Sequence, residues 1–202
     1  MKRRSFLAQG ATATVAMPQL IAAREDPRRK LRAGVIGHTG RGNYGHALDT
    51  VWLRIRGAEV VGVADPDETG RQRALQRLKA QRGFEDHHEL LREVKPEFVS
   101  ICPRYADQHA AMIVDCAAAG VKGIYVEKPF CRTPAEADRV REVCRNHGTR
   151  VAVAHRNRYN PALQHIATHV AEGGIGKLLE IRGRGKGDRR GGAEAVPAPA
   201  PA

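Results

Sequence analysis

The tripeptide Glu127-Lys128-Pro129 directly follows the mostly apolar run 121–126, so a lysine stands at the end of a predicted buried strand. Proline disfavours helical geometry in the preceding residue, and Lys128 is therefore expected to continue the strand and project from its carboxyl end. In open parallel sheets, ligands bind at that end of the strands. Lys128 is thus a candidate to contact a ligand, and the alternative is an ordinary surface lysine.

The glycine-rich segment 37–45 is a second candidate, because it joins a strand pattern at 31–36 to a helical pattern at 44–55. Glycines there permit a tight turn and let backbone N–H groups approach a pyrophosphate at the helix N-terminus. The spacing is not G-x-G-x-x-G, since Thr39 stands in the second glycine position, and an ordinary loop is the alternative. The candidate cofactor-binding residues of this turn are Gly37, Thr39, Gly40, Arg41, Gly42, Asn43 and Tyr44.

Asp65 ends the second predicted strand, about twenty residues after Gly45. A carboxylate at this position can accept both hydrogen bonds of an adenosine ribose diol and would repel a 2′-phosphate. This favours NAD as the cofactor over NADP. Two alternatives remain open: Asp65-Pro66-Asp67 also suits a turn, and the nearby Arg71 could accommodate a phosphate, so NADP stays possible.

The elements that position these residues alternate along the chain. Strands are predicted at 31–36, 58–64, 98–102, 123–126 and 150–154, and helices at 44–55, 68–81, 86–94, 108–119 and 133–147. Short apolar runs between helices of this length indicate βαβ units. The expected fold class is α/β, with a Rossmann-like, doubly wound parallel sheet.

Composition narrows the class of protein. A chain of 202 residues with 42% apolar content can bury a core and suggests one domain with part of a second. The net charge is +12, but the sequence has no aromatic-rich stretches that could stack bases. No nucleic-acid partner is therefore expected. The four cysteines form no C-x-x-C pair and are expected as small buried residues, with disulfides left open.

Histidines give no clear metal site in the sequence. His165 and His169 are spaced to lie one helical turn apart and could hold a metal in principle. No third ligand accompanies them in the sequence. They are therefore expected as exposed helix residues, and no metal site is predicted.

The first 23 residues have the pattern of an export signal, with Arg3-Arg4-Ser5-Phe6-Leu7 before a mildly apolar stretch. The pattern is similar to a twin-arginine signal, although Lys2 and Ala8 depart from it. The apolar stretch is too short and interrupted for a membrane span. A periplasmic or exported protein is expected, with 24–30 as a linker; the alternative is a cytoplasmic protein with a basic start.

Four motifs taken in order resemble the Gfo/Idh/MocA family of oxidoreductases over residues 31–184. They are Ala33-Gly34-Val35-Ile36-Gly37, then Pro103 with His109, then Glu127-Lys128-Pro129, and finally His155-Arg156-Asn157-Arg158-Tyr159-Asn160-Pro161. The stretch from Pro103 to His109 is two residues longer than is usual in the family. Members carry a Rossmann domain at 31–155 in this numbering, followed by an α/β domain that covers the nicotinamide.

The resemblance implies hydride transfer between a sugar- or polyol-like carbon and NAD. Lys128 would bind the nicotinamide ribose and stabilise the substrate alkoxide, while Pro103, His109 and Glu127 would contribute to the cofactor site. His155 would act as a proton donor or acceptor, or else orient its neighbours. Arg156, Arg158 and Tyr159 would line a polyol pocket or cap the following helix.

The end of the chain departs from the family pattern. Residues 156–181 match a helix and the first strand, from Leu178, of a second domain, and 182–202 are expected to be a disordered Gly/Arg/Ala/Pro tail. The family's catalytic aspartate and histidine from the second domain have no counterpart here. The expected function is therefore the cofactor-binding portion of an oxidoreductase, inactive alone and doubtful as a homo-oligomer; the alternative is a non-catalytic NAD-binding module or a subunit completed by another chain.

Overall fold

The computed structural model of the protein describes residues 29–155 and 157–182. Six strands form one sheet in the order β3-β2-β1-β4-β5-β6, and every neighbouring pair is parallel. The strands are β1 (Leu31–Ile36), β2 (Ala58–Ala64), β3 (Gly83–Phe84), β4 (Phe98–Ile101), β5 (Gly123–Val126) and β6 (Arg150–Val153). The strand order reverses between β1 and β4, where ligands bind in such sheets. The predicted Rossmann-like α/β fold is confirmed.

Six helices accompany the strands, and four of them begin at a side-chain cap. They are a 3-10 helix (Leu48–Arg54), α1 (Glu68–Leu78), α2 (His87–Val94), α3 (His109–Ala118), α4 (Pro134–His147) and α5 (Pro161–Ala171). The side chains of Asp67, Asp86, Thr133 and Asn160 each accept a backbone N–H of the first helical turn. These caps satisfy donors that a helix leaves unpaired at its start.

Apolar side chains fill both faces of the sheet. Alternate residues of β1 divide between the two cores: Ala33 and Val35 pack on one side with α1 and the 3-10 helix, and Ile36 packs on the other side with α2 and α3. Burial of both faces explains why the strands read as continuous apolar runs. Trp52 of the 3-10 helix donates to the Ser100 hydroxyl at 2.9 Å, which ties this helix to β4.

The first helix was predicted at 44–55 and this was wrong in both start and type. Asn43, Gly45 and Ala47 have φ angles of 53°, 60° and 62°, which no helix interior accepts. The chain therefore becomes regular only at Leu48, as a 3-10 helix. A Cβ on Gly45 would lie 2.5 Å from the carbonyl oxygen of Cys102, so close packing against the end of β4 requires this irregular backbone.

Two further differences concern strands. The two-residue β3 was missed because Gly83 and Phe84 are too few to show a pattern, although they pair with Val63 and Ala64. A strand from Leu178 was predicted, yet the described residues 178–182 form none, and the Leu179 side chain is 85% exposed. A strand needs a partner to supply its hydrogen bonds.

Several predictions fall on residues outside the described part of the chain. These are the export signal at 1–23, the linker up to residue 28, Arg156 and the tail from 183 onward. In the described segments, no helix combines the length and apolarity that a membrane crossing requires.

Candidate cofactor site and cleft

The carboxyl ends of β5 and β6 border a cleft of about 660 Å³. The side chains that line it include both predicted catalytic residues, Lys128 and His155, together with His46, Leu48, Tyr125, Glu127, Ala154 and Asn157. Lys128 and His155 are exposed to solvent. The structure thus brings together two residues that lie 27 positions apart, and places both where a ligand can reach them.

Lys128 lies two residues beyond the end of β5. The sheet pattern extends one residue past Val126, because the Glu127 N–H donates to the Ile101 carbonyl at 2.9 Å. Lys128 then leaves the strand direction through a cis bond to Pro129. The prediction that Lys128 continues the strand was therefore wrong by two residues, while its position at the carboxyl edge is as expected.

Glu127 is 1% exposed and serves as an anchor for the glycine turn. Its carboxylate accepts the backbone N–H of His46 at 3.0 Å, the His46 ring Nδ1–H at 2.9 Å and the backbone N–H of Lys128 at 2.9 Å. Burial alone would raise the pKa of Glu127, but these hydrogen bonds outweigh it and hold the pKa below the ordinary value. The carboxylate therefore fixes His46 and Lys128 to each other on one side of the cleft.

His109 is fully buried and ties two loops together. Its Nδ1 lies 2.7 Å from the carbonyl oxygen of Pro129, and its Nε2 lies 2.7 Å from that of Pro103. Carbonyl oxygens only accept, so full pairing requires a proton on both ring nitrogens. His109 was predicted as a cofactor contact. In the structure both of its ring nitrogens face backbone carbonyl oxygens, and one of these belongs to the buried Pro103.

The glycine turn folds back on itself. His38 and Asn43 pair as an antiparallel bridge, and Gly40 and Gly42 have φ angles of 85° and 86°. A Cβ on Gly42 would lie 2.4 Å from that of Arg104, so the turn packs tightly against the loop after β4. Within the described residues, the backbone N–H groups of Gly42 and Tyr44 are engaged in no hydrogen bond. These two donors are available to an anion such as a pyrophosphate.

Tyr44 covers the start of the turn. A Cβ on Gly37 would lie 2.2 Å from the Tyr44 ring, which explains the need for glycine there. The Tyr44 hydroxyl is buried and has no hydrogen-bond partner among the described residues. Burial, and then the negative charge of Asp65, raise the pKa of this hydroxyl. This hydroxyl therefore lies close to the Asp65 carboxylate, beside the glycine turn.

Asp65 is fully buried at the end of β2. Its carboxylate accepts the Thr39 backbone N–H at 3.0 Å and the Thr39 hydroxyl at 2.8 Å. A Cβ on Gly70 would lie 1.8 Å from the Thr39 hydroxyl, so Gly70 of α1 makes room for this contact. The Arg71 guanidinium donates to the Asp65 carbonyl at 2.6 Å. Thr39 must move aside before a ribose diol can reach the carboxylate.

A second depression of about 410 Å³ lies beside the Thr39 side chain that covers this carboxylate. Thr39, Tyr44 and Gly70 line it together with Arg73 and Arg77. Arg77 pairs with buried Asp49 at 2.7 Å and lies over the Tyr44 ring. A positive side chain here favours an anionic ligand. The glycine turn and Arg73 thus border a depression where an anionic part of the expected cofactor would be favoured.

The sequence did not predict a role for His46, and it predicted cleft positions for Arg158 and Tyr159 that they do not occupy. The role of His46 depends on its hydrogen bond with Glu127, which lies 81 positions away in the sequence. The one nearby sequence feature that could have pointed to His46 is its position directly after Gly45. Arg158 and Tyr159 are exposed and do not line the cleft, and the cap of α5 is Asn160. Asn157 is the member of that motif that does line the cleft.

Comparison with known proteins gives a family. Residues 31–155 match the family model described as an oxidoreductase family with an NAD-binding Rossmann fold, Gfo/Idh/MocA. The chain is 30% identical over 160 residues to D-apiose dehydrogenase of Paraburkholderia graminis, covering 78% of this chain and 41% of that protein. It is 31% identical over 153 residues to inositol 2-dehydrogenase of Acidothermus cellulolyticus, covering 75% and 43%. The chain therefore spans less than half of the curated relatives it matches.

Solved structures agree on the fold. An NAD-binding oxidoreductase from Klebsiella pneumoniae superposes with a TM-score of 0.63 at 26% identity, over 73% of this chain and 40% of that one. Scyllo-inositol dehydrogenase from Lactobacillus casei, solved with NAD(H) and scyllo-inositol, has a TM-score of 0.64 at 17% identity, over 73% and 43%. The second likeness concerns the fold alone. The matched range covers the whole six-stranded sheet and the cleft at its edge, and the chain belongs to the Gfo/Idh/MocA oxidoreductase family, of which it carries the NAD-binding Rossmann domain.

Proposed function

We propose that this chain provides the cofactor-binding part of an NAD-dependent oxidoreductase that acts on a sugar or polyol. The observation that carries the proposal is the shared cleft of Lys128 and His155, at the same sheet edge as the glycine turn. NAD, when bound, accepts a hydride from a carbinol carbon. The Lys128 ammonium is suited to stabilise the negative charge that develops on the substrate oxygen. His155 is suited to exchange the hydroxyl proton.

The residues that would hold the dinucleotide lie on the other side of Glu127. The free N–H groups of Gly42 and Tyr44 suit the pyrophosphate, and Asp65 suits the adenosine ribose once Thr39 has moved. A carboxylate at the end of β2 repels a 2′-phosphate, which supports NAD as the preferred cofactor. One N–H of Arg71 is donated to the Asp65 carbonyl, and its remaining donors leave NADP possible.

The substrate class rests on the relatives. D-apiose dehydrogenase and several inositol 2-dehydrogenases are named for sugar or cyclitol substrates. Because the chain covers 41–45% of the lengths of those relatives with 30% identity or more, the substrate and the complete reaction are inferred for the enzyme to which this domain contributes.

A nicotinamide fluorescence titration tests the proposal directly. NADH added to the purified protein should show enhanced emission with saturable binding, and NADPH should bind at least about tenfold more weakly because of Asp65. Absence of NADH binding would refute the proposal. Binding of both nucleotides with equal affinity would refute the role assigned to Asp65. If Lys128→Ala and His155→Ala leave turnover of the complete enzyme unchanged, a non-catalytic NAD-binding module is the better description.

We further propose that the protein is exported through the paired arginines of its first residues. The support is sequence alone: Arg3 and Arg4 precede Phe6 and Leu7 at the start of a mildly apolar stretch. The double variant Arg3→Lys, Arg4→Lys should remain in the cytoplasmic fraction, while Lys2→Ala, outside the pair, should be exported normally. Export of the double variant at the wild-type level would refute the signal.

A further inference from the structure

A pair of histidines opens helix α2 and faces an aspartate of α3. His87 and His88 are the first two residues of α2, and their rings stack with centroids 4.0 Å apart. The Asp115 Oδ2 atom lies 3.0 Å from the Nε2 of His87 and 3.8 Å from the Nε2 of His88. Two ring nitrogens of α2 thus approach one carboxylate oxygen of α3.

The separations suit a tetrahedral ion. Zinc binds histidine nitrogen and carboxylate oxygen at about 2.0–2.2 Å, so two donors on one tetrahedral zinc lie roughly 3.3 Å apart. The observed distances of 3.0 and 3.8 Å lie on either side of that value. Both separations from Asp115 are therefore close to the spacing of two ligands on one tetrahedral ion.

Asp86 lies near the outer ring nitrogen of His87, beyond hydrogen-bond distance in this conformation. Its Oδ1 lies 3.9 Å from the Nδ1 of His87, the ring nitrogen that does not face Asp115. A carboxylate on that second nitrogen orients the ring and strengthens the metal bond. Asp86 is itself fixed, because it caps α2 by accepting the His88 backbone N–H. The donor atoms of Asp86, His87 and His88 all lie within 4.8 Å of one another.

A hydrogen bond alone explains only part of this arrangement. The contact of His87 with Asp115 would tie α2 to α3 without any metal. It does not account for the second imidazole, which turns to the same oxygen and stacks on the first. Neutral imidazole is the form that binds metals. The His88 side chain is 58% exposed, which leaves an entry path.

We propose that His87, His88 and Asp115 form a zinc site that joins α2 to α3, with solvent as the fourth ligand and Asp86 supporting His87. Imidazole and carboxylate donors in tetrahedral geometry favour zinc over calcium or magnesium. None of these residues lines the cleft of Lys128 and His155, so the site is separate from the proposed function. Its role is to clamp two helices on one face of the sheet.

Isothermal titration with zinc chloride tests the site, on metal-free protein that carries no polyhistidine tag. The wild type should bind one zinc, and His88→Ala and Asp115→Asn should each weaken binding by at least about tenfold. Asp86→Asn keeps a good helix cap and should weaken binding less. The matched control is the double variant His165→Ala, His169→Ala on α5, whose affinity should equal that of the wild type. Wild-type affinity in both His88→Ala and Asp115→Asn would overturn the proposal, as would loss of binding in the α5 control.

Two further readouts separate a failed site from a failed fold. Cobalt substitution should give the visible absorption bands of a tetrahedral ion in the wild type and not in His88→Ala. Zinc should also raise the unfolding temperature of the wild type and leave that of His88→Ala unchanged. NADH titration of His88→Ala should give the same result as for the wild type. The outcome of the zinc test therefore does not depend on the cofactor proposal. Octahedral cobalt spectra in the wild type would contradict the three-ligand tetrahedral site.

Discussion

Glu127 stands next to Lys128 in sequence but supports a different part of the protein. The pKa of the Glu127 carboxyl is lower in the folded state than its ordinary value of 4.5. The carboxylate therefore stabilises the fold at pH values above 4.5, and this contribution is lost as the pH falls through the lower pKa of the folded state. Glutamine offers one acceptor oxygen in place of two. At least one of the three donors on Glu127 would then be left buried without a partner.

We therefore expect Glu127→Gln to lower the free energy of unfolding by roughly 1.5–3 kcal/mol at neutral pH. The difference from the wild type should shrink as the pH falls below 4.5, because the unfolded chain then takes up a proton that the folded carboxylate, with its lower pKa, still resists. Urea unfolding across this pH range measures it, with Glu172→Gln at the exposed end of α5 as control. A difference that stays constant down to pH 3 would mean that the charge of Glu127 is not involved.

Lys128 should matter little for cofactor affinity. It is exposed and lies at the reactive end of the cleft, whereas most dinucleotide contacts are expected from the turn and Asp65. Lys128→Ala should change the dissociation constant of NADH by less than about tenfold, or 1.4 kcal/mol. Fluorescence titration checks this, and loss of NADH binding would place Lys128 elsewhere on the cofactor.

At the level of single residues, position along a strand was the useful signal. Lys128 and His155 follow apolar strands, and parallel strands end at one edge of the sheet, so their meeting could be predicted. The His46–Glu127 contact could not, since it depends on how a turn packs 81 positions away. The burial of Asp65 under Thr39 was equally invisible, because it depends on Gly70 of another element.

Among the elements, the glycine turn has the strictest requirements. Gly40 and Gly42 share nearly the same φ angle, 85° and 86°, but a Cβ on Gly40 would meet nothing within 4 Å, whereas one on Gly42 would collide with Arg104. The pair therefore separates the cost of the backbone conformation from the cost of the contact.

Gly40→Ala should cost about 1–2 kcal/mol, the usual strain of a left-handed residue. Gly42→Ala should cost at least about 1 kcal/mol more, because of the overlap with the loop after β4. It should also weaken NADH binding, because this overlap would displace the Gly42 N–H, one of two donors of the turn without a partner among the described residues. Thermal unfolding and NADH titration of both variants check this, and equal effects of the two substitutions would contradict it.

The strands were predictable as elements because both faces of the sheet are buried, which leaves short apolar runs in the sequence. The five longer strands lie within a residue or so of their predicted positions. The first helix was not predictable, because its apolar spacing over 44–55 gives no sign that Ala47 adopts a left-handed conformation. The spacing of apolar residues reports on side chains, whereas the helix prediction failed because of the backbone conformation.

For the whole molecule, the cofactor is expected to act as a stabiliser. The turn, β2 and α1 meet through Thr39, Asp65 and Gly70, so a ligand placed there contacts several elements at once. NAD at 100 times its dissociation constant should add about 2.7 kcal/mol to the free energy of unfolding. Calorimetry with and without NAD measures the shift, and Asp65→Asn should reduce it. An unfolding temperature that is independent of NAD would contradict the site.

The contacts of His109 determine where the protein can accept inserted or deleted residues. The imidazole spans from Pro103 to Pro129, so the loop that carries Lys128 takes its position from the loop after β4. One residue added at the start of α3, or removed beside Pro129, would shift the lysine relative to the cleft. The tolerance of this region to insertion and deletion is therefore set by one buried ring.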